Sequence, residues 1–355
     1  MKIVIVGGVA GGASAAARLR RLDESAEIIL FERGEYISYA NCGLPYYIGG
    51  EIREKSALTL QTPESFRARL NVDVRTLQEV TAIHPSEKAI TIENLKTRET
   101  YRESYDVLLL SPGAAPFIPG GITGADNPRV FTLRNIPDTY RIKAFIEHEA
   151  PKRAVVAGGG YIGVEMAENL RRLGLDVTLV EMADQVIAPL DFDMAAELHR
   201  HIEQNGVRLL LNTGVREIMP QADGSLIIGL SAGDIPADLL IMSVGVTPES
   251  GLAKDAGLAV NQRGCIVVNE HMQTSAPHIY AVGDAVEVRD FVTGQKGFIP
   301  LAGPANKQGR IAADNIAGIP STFGGTQGSA ILKVFDMTAA ATGVNEKTAK
   351  RLGLD

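Results

Sequence analysis

The sequence predicts an α/β fold of two Rossmann-like three-layer βαβ domains, the second inserted into the first, followed by the opening of a smaller α+β segment. Three observations carry this reading. A β-branched run, Lys2-Ile3-Val4-Ile5-Val6, leads through a glycine-rich turn into a helical stretch. The same pattern returns at Ala154-Val155-Val156-Ala157, and each unit closes on a later apolar strand that ends in a turn.

Taken in order, Gly7-Gly8-Val9-Ala10-Gly11-Gly12 is the first turn, Ala13 to Leu22 a helix from its alanines, arginines and leucines at helical spacing, and Glu27 to Phe31 the next strand. The second copy turns through Gly158-Gly159-Gly160-Tyr161-Ile162-Gly163, runs as a helix to about Leu173 and re-enters a strand at Val177 to Val180. This repeats a fold unit and is not a solenoid period. The closing strands are Tyr105 to Leu110, ending in Ser111-Pro112-Gly113, and Asp238 to Val244, ending in Gly245-Val246-Thr247-Pro248. The expected domains are 1–113 with 246–320, the insertion 114–245, and 321–355, where Ser329 to Phe335 reads as a strand.

A length of 355 residues suits two domains or slightly more. The 35 basic and 42 acidic residues give a net charge of -7 without a basic block, which argues against a nucleic-acid footprint and for small-molecule partners. Cys42 and Cys265 stand in unlike contexts, so a secreted disulfide framework is not expected and a reducing, cytoplasmic setting is. The N-terminal apolar run is too short for a signal segment, and no stretch is long enough for a membrane span. His199 and His201 share one expected helix without metal-ligand spacing, so no metal is expected.

A glycine-rich turn between strand and helix lets backbone N–H groups and the positive helix end approach a pyrophosphate. Gly158, Gly160 and Gly163 have the full G-x-G-x-x-G spacing, and Ala167 permits close packing of the helix on its sheet. Glu181 ends the following strand, where an acid accepts from the adenosine ribose hydroxyls. Met182-Ala183-Asp184-Gln185-Val186 offers no cation for a 2′-phosphate, so NADH is expected over NADPH. The first turn has Gly7 and Gly12 but Val9 at the middle position; its strand, helix and Glu32 keep the dinucleotide reading.

Cys42 lies in Ser38-Tyr39-Ala40-Asn41-Cys42-Gly43-Leu44-Pro45-Tyr46-Tyr47. A lone cysteine is more often a small buried hydrophobe. Here Asn41 and Gly43 suit a turn into a helix, whose end is expected to favour the thiolate. Cys265, in Arg263-Gly264-Cys265-Ile266-Val267-Val268, reads as packing in an apolar strand.

The order of the first turn, Asn41-Cys42-Gly43-Leu44-Pro45-Tyr46, the inserted second turn, Tyr280-Ala281-Val282-Gly283-Asp284 and Pro300-Leu301-Ala302-Gly303-Pro304-Ala305-Asn306 resembles the single-cysteine branch of the pyridine nucleotide-disulfide oxidoreductases. Within that branch it is most similar to the coenzyme A disulfide reductases and the NADH-dependent coenzyme A persulfide or polysulfide reductases. The resemblance covers essentially the whole chain. It implies FAD on the first domain, NADH on the insertion, and Cys42 as the catalytic thiol. Tyr47 stands where dithiol relatives carry a second cysteine, and Ala10 where peroxide- and oxygen-reducing relatives carry a histidine, so both departures point to a mixed disulfide or persulfide on Cys42.

The resemblance further implies cofactor contacts from Gly8, Val9, Ala10, Arg33, Val80, Gly245, Leu301 and Ala302, with Ser111, Pro112, Gly113, Arg134, Asp284 and Pro300 along the flavin. Tyr161 would cover the flavin face until nicotinamide displaces it, with Ile162 and Glu165 nearby. Ser14, Arg18, Arg21, Ser38, Asn41 and Asn306 would hold coenzyme A, although arginines on an amphipathic helix are often only solvated. The alternatives are an NADH oxidase or peroxidase cycling through a cysteine sulfenic acid, a ferredoxin- or rubredoxin-reductase-like electron-transfer protein, and a non-catalytic nucleotide-binding protein. The family's C-terminal domain, of roughly a hundred residues, forms most of a homodimer interface and supplies tyrosines to the partner's site. Residues 321–355 match only its beginning, so weak dimerisation and weak turnover are expected of this chain alone; a fused rhodanese domain is common in the branch.

Overall fold

The computed structural model describes residues 1–354 and divides into two compact units. The first gathers residues 1–39, 59–115 and 247–328, and the second residues 40–58, 116–246 and the segment from 329 onward. The segment carrying Cys42 therefore groups with the second glycine turn, although in sequence it follows the first.

In the first unit five parallel strands lie in the order Ile279–Ala281, Val107–Leu110, Lys2–Val6, Glu27–Glu32, Asp73–Thr76. Ile3, Val4, Ile5, Leu30, Leu108 and Leu109 are all but removed from solvent. Each such side chain contributes about 1.5–3 kcal/mol of burial, which explains why these strands read as continuous apolar runs instead of alternating. The helices Ala10–Leu22 and Ala302–Ile316 cross closely: a Cβ on Gly309 would lie 2.4 Å from the Gly11 carbonyl oxygen. Gln78–His84, Ala89–Asn94 and Thr100–Ser104 form a separate antiparallel sheet.

The second unit repeats the scheme with Arg208–Leu210, Asp176–Val180, Arg153–Ala157, Leu239–Met242 and Val130–Phe131, again parallel. It adds an antiparallel sheet of Val215–Pro220, Leu226–Leu230 and Ile235–Ala237 and a hairpin of Ala330–Val334 with Met337–Ala341. The expected fold class is the observed one.

Several local expectations need correction. The first helix begins at Ala10, not Ala13, because Gly11 and Gly12 are its opening turn. The closing strands are trimmed to Val107–Leu110 and Leu239–Met242. Cys265 is fully buried, as packing requires, but lies in no strand: its N–H donates to Asn261 Oδ1 at 3.0 Å in a loop, and only Ile266 bridges to neighbours. Among the described residues no helix is long and apolar enough to cross a membrane.

Candidate active site

The first turn is fixed by backbone contact. Gly7 has φ +98° and a Cβ there would lie 2.0 Å from the Ser111 carbonyl oxygen, while one on Gly12 would lie 1.9 Å from the Gly7 oxygen. Only glycine fits either place. Glu32 receives the Gly8 N–H on Oε2 at 2.9 Å and the Gly34 N–H on Oε1 at 2.8 Å, which leaves each oxygen further acceptor capacity for a ribose hydroxyl. Ser111 Oγ accepts from the Gly12 N–H at 3.1 Å, and the buried Gln308 accepts from the Gly283 N–H at 2.8 Å, beside Asp284. Gly113 has φ +78°, and Leu301, which follows Pro300, leads in extended backbone to the helix starting at Ala302. Val80 is buried, whereas Arg33 pairs with Glu249 at 2.6 Å.

The second turn is built alike. Gly158 has φ +106°, and a Cβ there would lie 2.3 Å from the Ser243 carbonyl oxygen, while one on Gly163 would lie 1.8 Å from the Gly158 oxygen. Glu181 receives the Gly159 N–H at 2.6 Å and the Ala183 N–H at 2.7 Å. A Cβ on Gly160 would meet nothing within 4 Å, so the protein leaves open the space that a pyrophosphate needs. Tyr161 opens the helix Tyr161–Arg172 half-buried, with Ile162 exposed. Gly245 has φ +121°. The Arg134 N–H donates to Asp138 Oδ2 at 3.1 Å at the start of the helix Ile136–Glu149. The Val186 N–H donates to His199 Nε2 at 3.1 Å, and burial depresses that imidazole's pKa, which suits an acceptor.

Cys42 sits in a 3-10 turn, Asn41–Gly43, before the short helix Leu44–Ile48, and is exposed. The thiol is pushed up from its ordinary value, first by the crowding of surrounding protein and then by the Glu165 carboxylate. This corrects the expectation that the helix end favours the thiolate: five residues supply little dipole, and an acid is the charge that reaches the sulfur. Glu165, on the helix that begins in the second turn, is itself pushed up to about 7 by burial and then by Glu168. Glu168 is 0% exposed, with Arg172 Nη2 2.9 Å away as its counter-ion. Burial first, then Glu165 and Glu168, also push the Tyr46 hydroxyl up. The two helices pack closely: a Cβ on Gly49 would lie 2.1 Å from Asn169 Oδ1.

Sequence reasoning named Glu165 only by resemblance and did not find Glu168 or Asn169. Their spacing on an amphipathic helix is that of a solvated face, and nothing in it signals burial by Gly49 and the residues around Phe335.

Of the residues matched to coenzyme A, Ser14 donates from Oγ to Asn306 Oδ1 at 2.6 Å, and Arg18 Nε donates to Asp314 Oδ1 at 2.7 Å. Arg21 is exposed on the same helix. Ser38 has φ +46° and donates its N–H to Gly8 O at 2.9 Å. Asn41 is exposed in the second unit, beside Cys42.

The family described as pyridine nucleotide-disulphide oxidoreductase matches residues 1–309. The chain belongs to that family. Two curated relatives are a coenzyme A disulfide reductase of Staphylococcus haemolyticus, 36% identical over 97% of this chain and 76% of its own, and an NADH oxidase of Methanocaldococcus jannaschii, 37% identical over 98% and 77%. Reduced Bacillus anthracis CoADR-RHD superposes with a TM-score of 0.96 at 56% identity, and an NAD-dependent persulfide reductase from A. fulgidus with 0.96 at 39%. This chain is covered completely in both, but spans only 63% and 66% of those two structures. Membership accounts for the two dinucleotide turns, and makes the protein an oxidoreductase of the flavin and nicotinamide class.

Proposed function

We propose that the protein is a reductase that takes electrons from NADH through FAD to Cys42, which reduces a coenzyme A disulfide or persulfide. The observation that carries this reading is Cys42 itself: an exposed thiol in a turn, facing an acid on the very helix that starts in the second dinucleotide turn. The two glycine turns, packed tightly against backbone at Gly7, Gly12, Gly158 and Gly163 and left open at Gly160, support the reading of two dinucleotides.

FAD, when bound, supplies two-electron transfer between nicotinamide and sulfur. The chain's own part is sulfur and proton chemistry. The Cys42 thiolate attacks one sulfur of the substrate S–S bond, that bond breaks, and the departing thiolate takes a proton to leave as thiol. A mixed disulfide or persulfide remains on Cys42, and two electrons return it to the thiolate with release of the second thiol or hydrosulfide. The sum consumes NADH, one proton and one disulfide and yields NAD+ and two thiols. Glu181, with an oxygen beside each of two backbone amides and no cation in the loop that follows, supports NADH over NADPH; similar kcat/KM for both would remove that preference.

The test is anaerobic. The NADH-reduced holoenzyme is mixed with coenzyme A disulfide or coenzyme A persulfide, and flavin reoxidation is followed together with thiol and sulfide release. Rapid reoxidation is expected, and Cys42→Ser is expected to keep reduction by NADH while losing reoxidation by at least about a hundredfold. Retained turnover in that variant sinks the scheme. The exposure of Cys42 also favours a second reading, an oxidase or peroxidase cycling through sulfenic acid. Reoxidation that appears only with oxygen or peroxide selects it.

A further inference from the structure

The helices Ala10–Leu22 and Ala302–Ile316 meet at Gly11 and Gly309 and carry polar groups along their seam. Ser14 bonds Asn306, and Arg21, Lys307 and Arg310 are exposed cations on the two helices. One anion interrupts this basic seam. Asp314 is paired with Arg18 through a 2.7 Å charge-assisted hydrogen bond, with 16% of the Asp314 side chain and 35% of the Arg18 side chain exposed.

We propose that Asp314 is a built-in counter-anion of this seam, which holds Arg18 while the seam is empty, yields it to a phosphate of the substrate's nucleotide end, and sets how weakly that end is held. The inference rests on the coenzyme A reading above. A guanidinium suits carboxylate and phosphate equally through its planar fork, so one can replace the other on the same group. Asp314 keeps the guanidinium from lying bare, and its charge then repels the phosphates that displace it. A product that retains every phosphate of the substrate is thereby prevented from binding too tightly to leave.

The test uses the FAD-loaded protein and two disulfides: that of coenzyme A, and pantethine, which has the same thiol arm without phosphates or nucleoside. In Asp314→Asn the ratio of KM for pantethine to KM for coenzyme A disulfide is expected to rise about threefold to tenfold, with a steeper dependence on salt. Asp314→Glu, which keeps the charge, is expected to stay near the wild-type ratio. A ratio that falls or does not move in Asp314→Asn, while the wild type prefers coenzyme A disulfide, overturns the inference alone. A wild type that uses both disulfides with equal KM, unchanged by Arg18→Ala, overturns the coenzyme A reading and the inference with it.

Discussion

The two glycine turns are built on the same backbone contacts and differ in the residues between their outer glycines, first of all at the middle position. In both, the first glycine takes a positive φ against a carbonyl that follows the strand closing the unit, and the last would drive a Cβ into the first glycine's oxygen. In both, a glutamate at the end of the next strand receives the amide of the second glycine. The middle position is Val9 in one and Gly160 in the other. Both precede the helix in extended backbone with negative φ, -106° and -77°, so neither needs glycine for its conformation. The outer glycines thus answer to the protein, and the middle one to what approaches the turn.

That distinction sets the largest expected effect. Gly12→Ala and Gly163→Ala each place a methyl carbon within 2 Å of a backbone oxygen that cannot move without opening the strand–helix junction. Each is expected to cost more than about 3 kcal/mol in chemical denaturation, or to give no folded protein. A variant of either that unfolds like the wild type would break the claim that the turns are held by backbone contact. Gly160→Val tests the middle position directly. It copies the residue of the first turn into the second, where a Cβ has open space, so stability is expected to change by less than about 1 kcal/mol. KM for NADH is expected to rise at least about tenfold, with flavin content unchanged. Normal NADH binding would mean that the ligand does not approach Gly160 as the open space suggests.

The comparison also shows what a sequence exposes. Lys2–Val6 and Arg153–Ala157 were legible because parallel strands buried on both faces leave unbroken apolar runs, and the turns because backbone contact admits only glycine. The antiparallel sheets at Gln78–Ser104 and Val215–Ala237 were not foreseen. Ala89–Asn94 does alternate, burying Ile90 and Ile92, but Val215–Pro220 buries only Ile218 and each sheet contains a register shift, so the period is interrupted along both. The grouping of Cys42 with the second unit is a long-range fact with no local signal, and the charge that reaches its sulfur belongs to a residue far along the chain.

The helices leaving the two turns differ in the same spirit. Two residues beyond the last glycine stands Ser14 in one and Glu165 in the other, so matching positions serve a neutral hydrogen bond to Asn306 and an acid beside a thiol. Glu165 is faced by Glu168 on its own helix, with Cys42 and Tyr46 on the neighbouring segment; Arg172, Glu51 and Lys333 act on Glu168 behind it. Its pKa, raised from 4.5 to about 7, means that the folded protein favours the protonated acid. The associated stability is whole below pH 4.5 and is lost as pH rises through about 7, so the melting temperature of the wild type should fall relative to Glu165→Gln across that window. The sulfur reports the same titration. Above about pH 7 the ionised Glu165 opposes the Cys42 thiolate, and Glu165→Gln should be alkylated about threefold faster; below about pH 6, where the wild-type acid carries its proton, the two rates should converge. A rate ratio of one at every pH would show that Glu165 does not govern the thiol, and would leave the two helices differing in sequence but not in what they do to the chemistry at their turns.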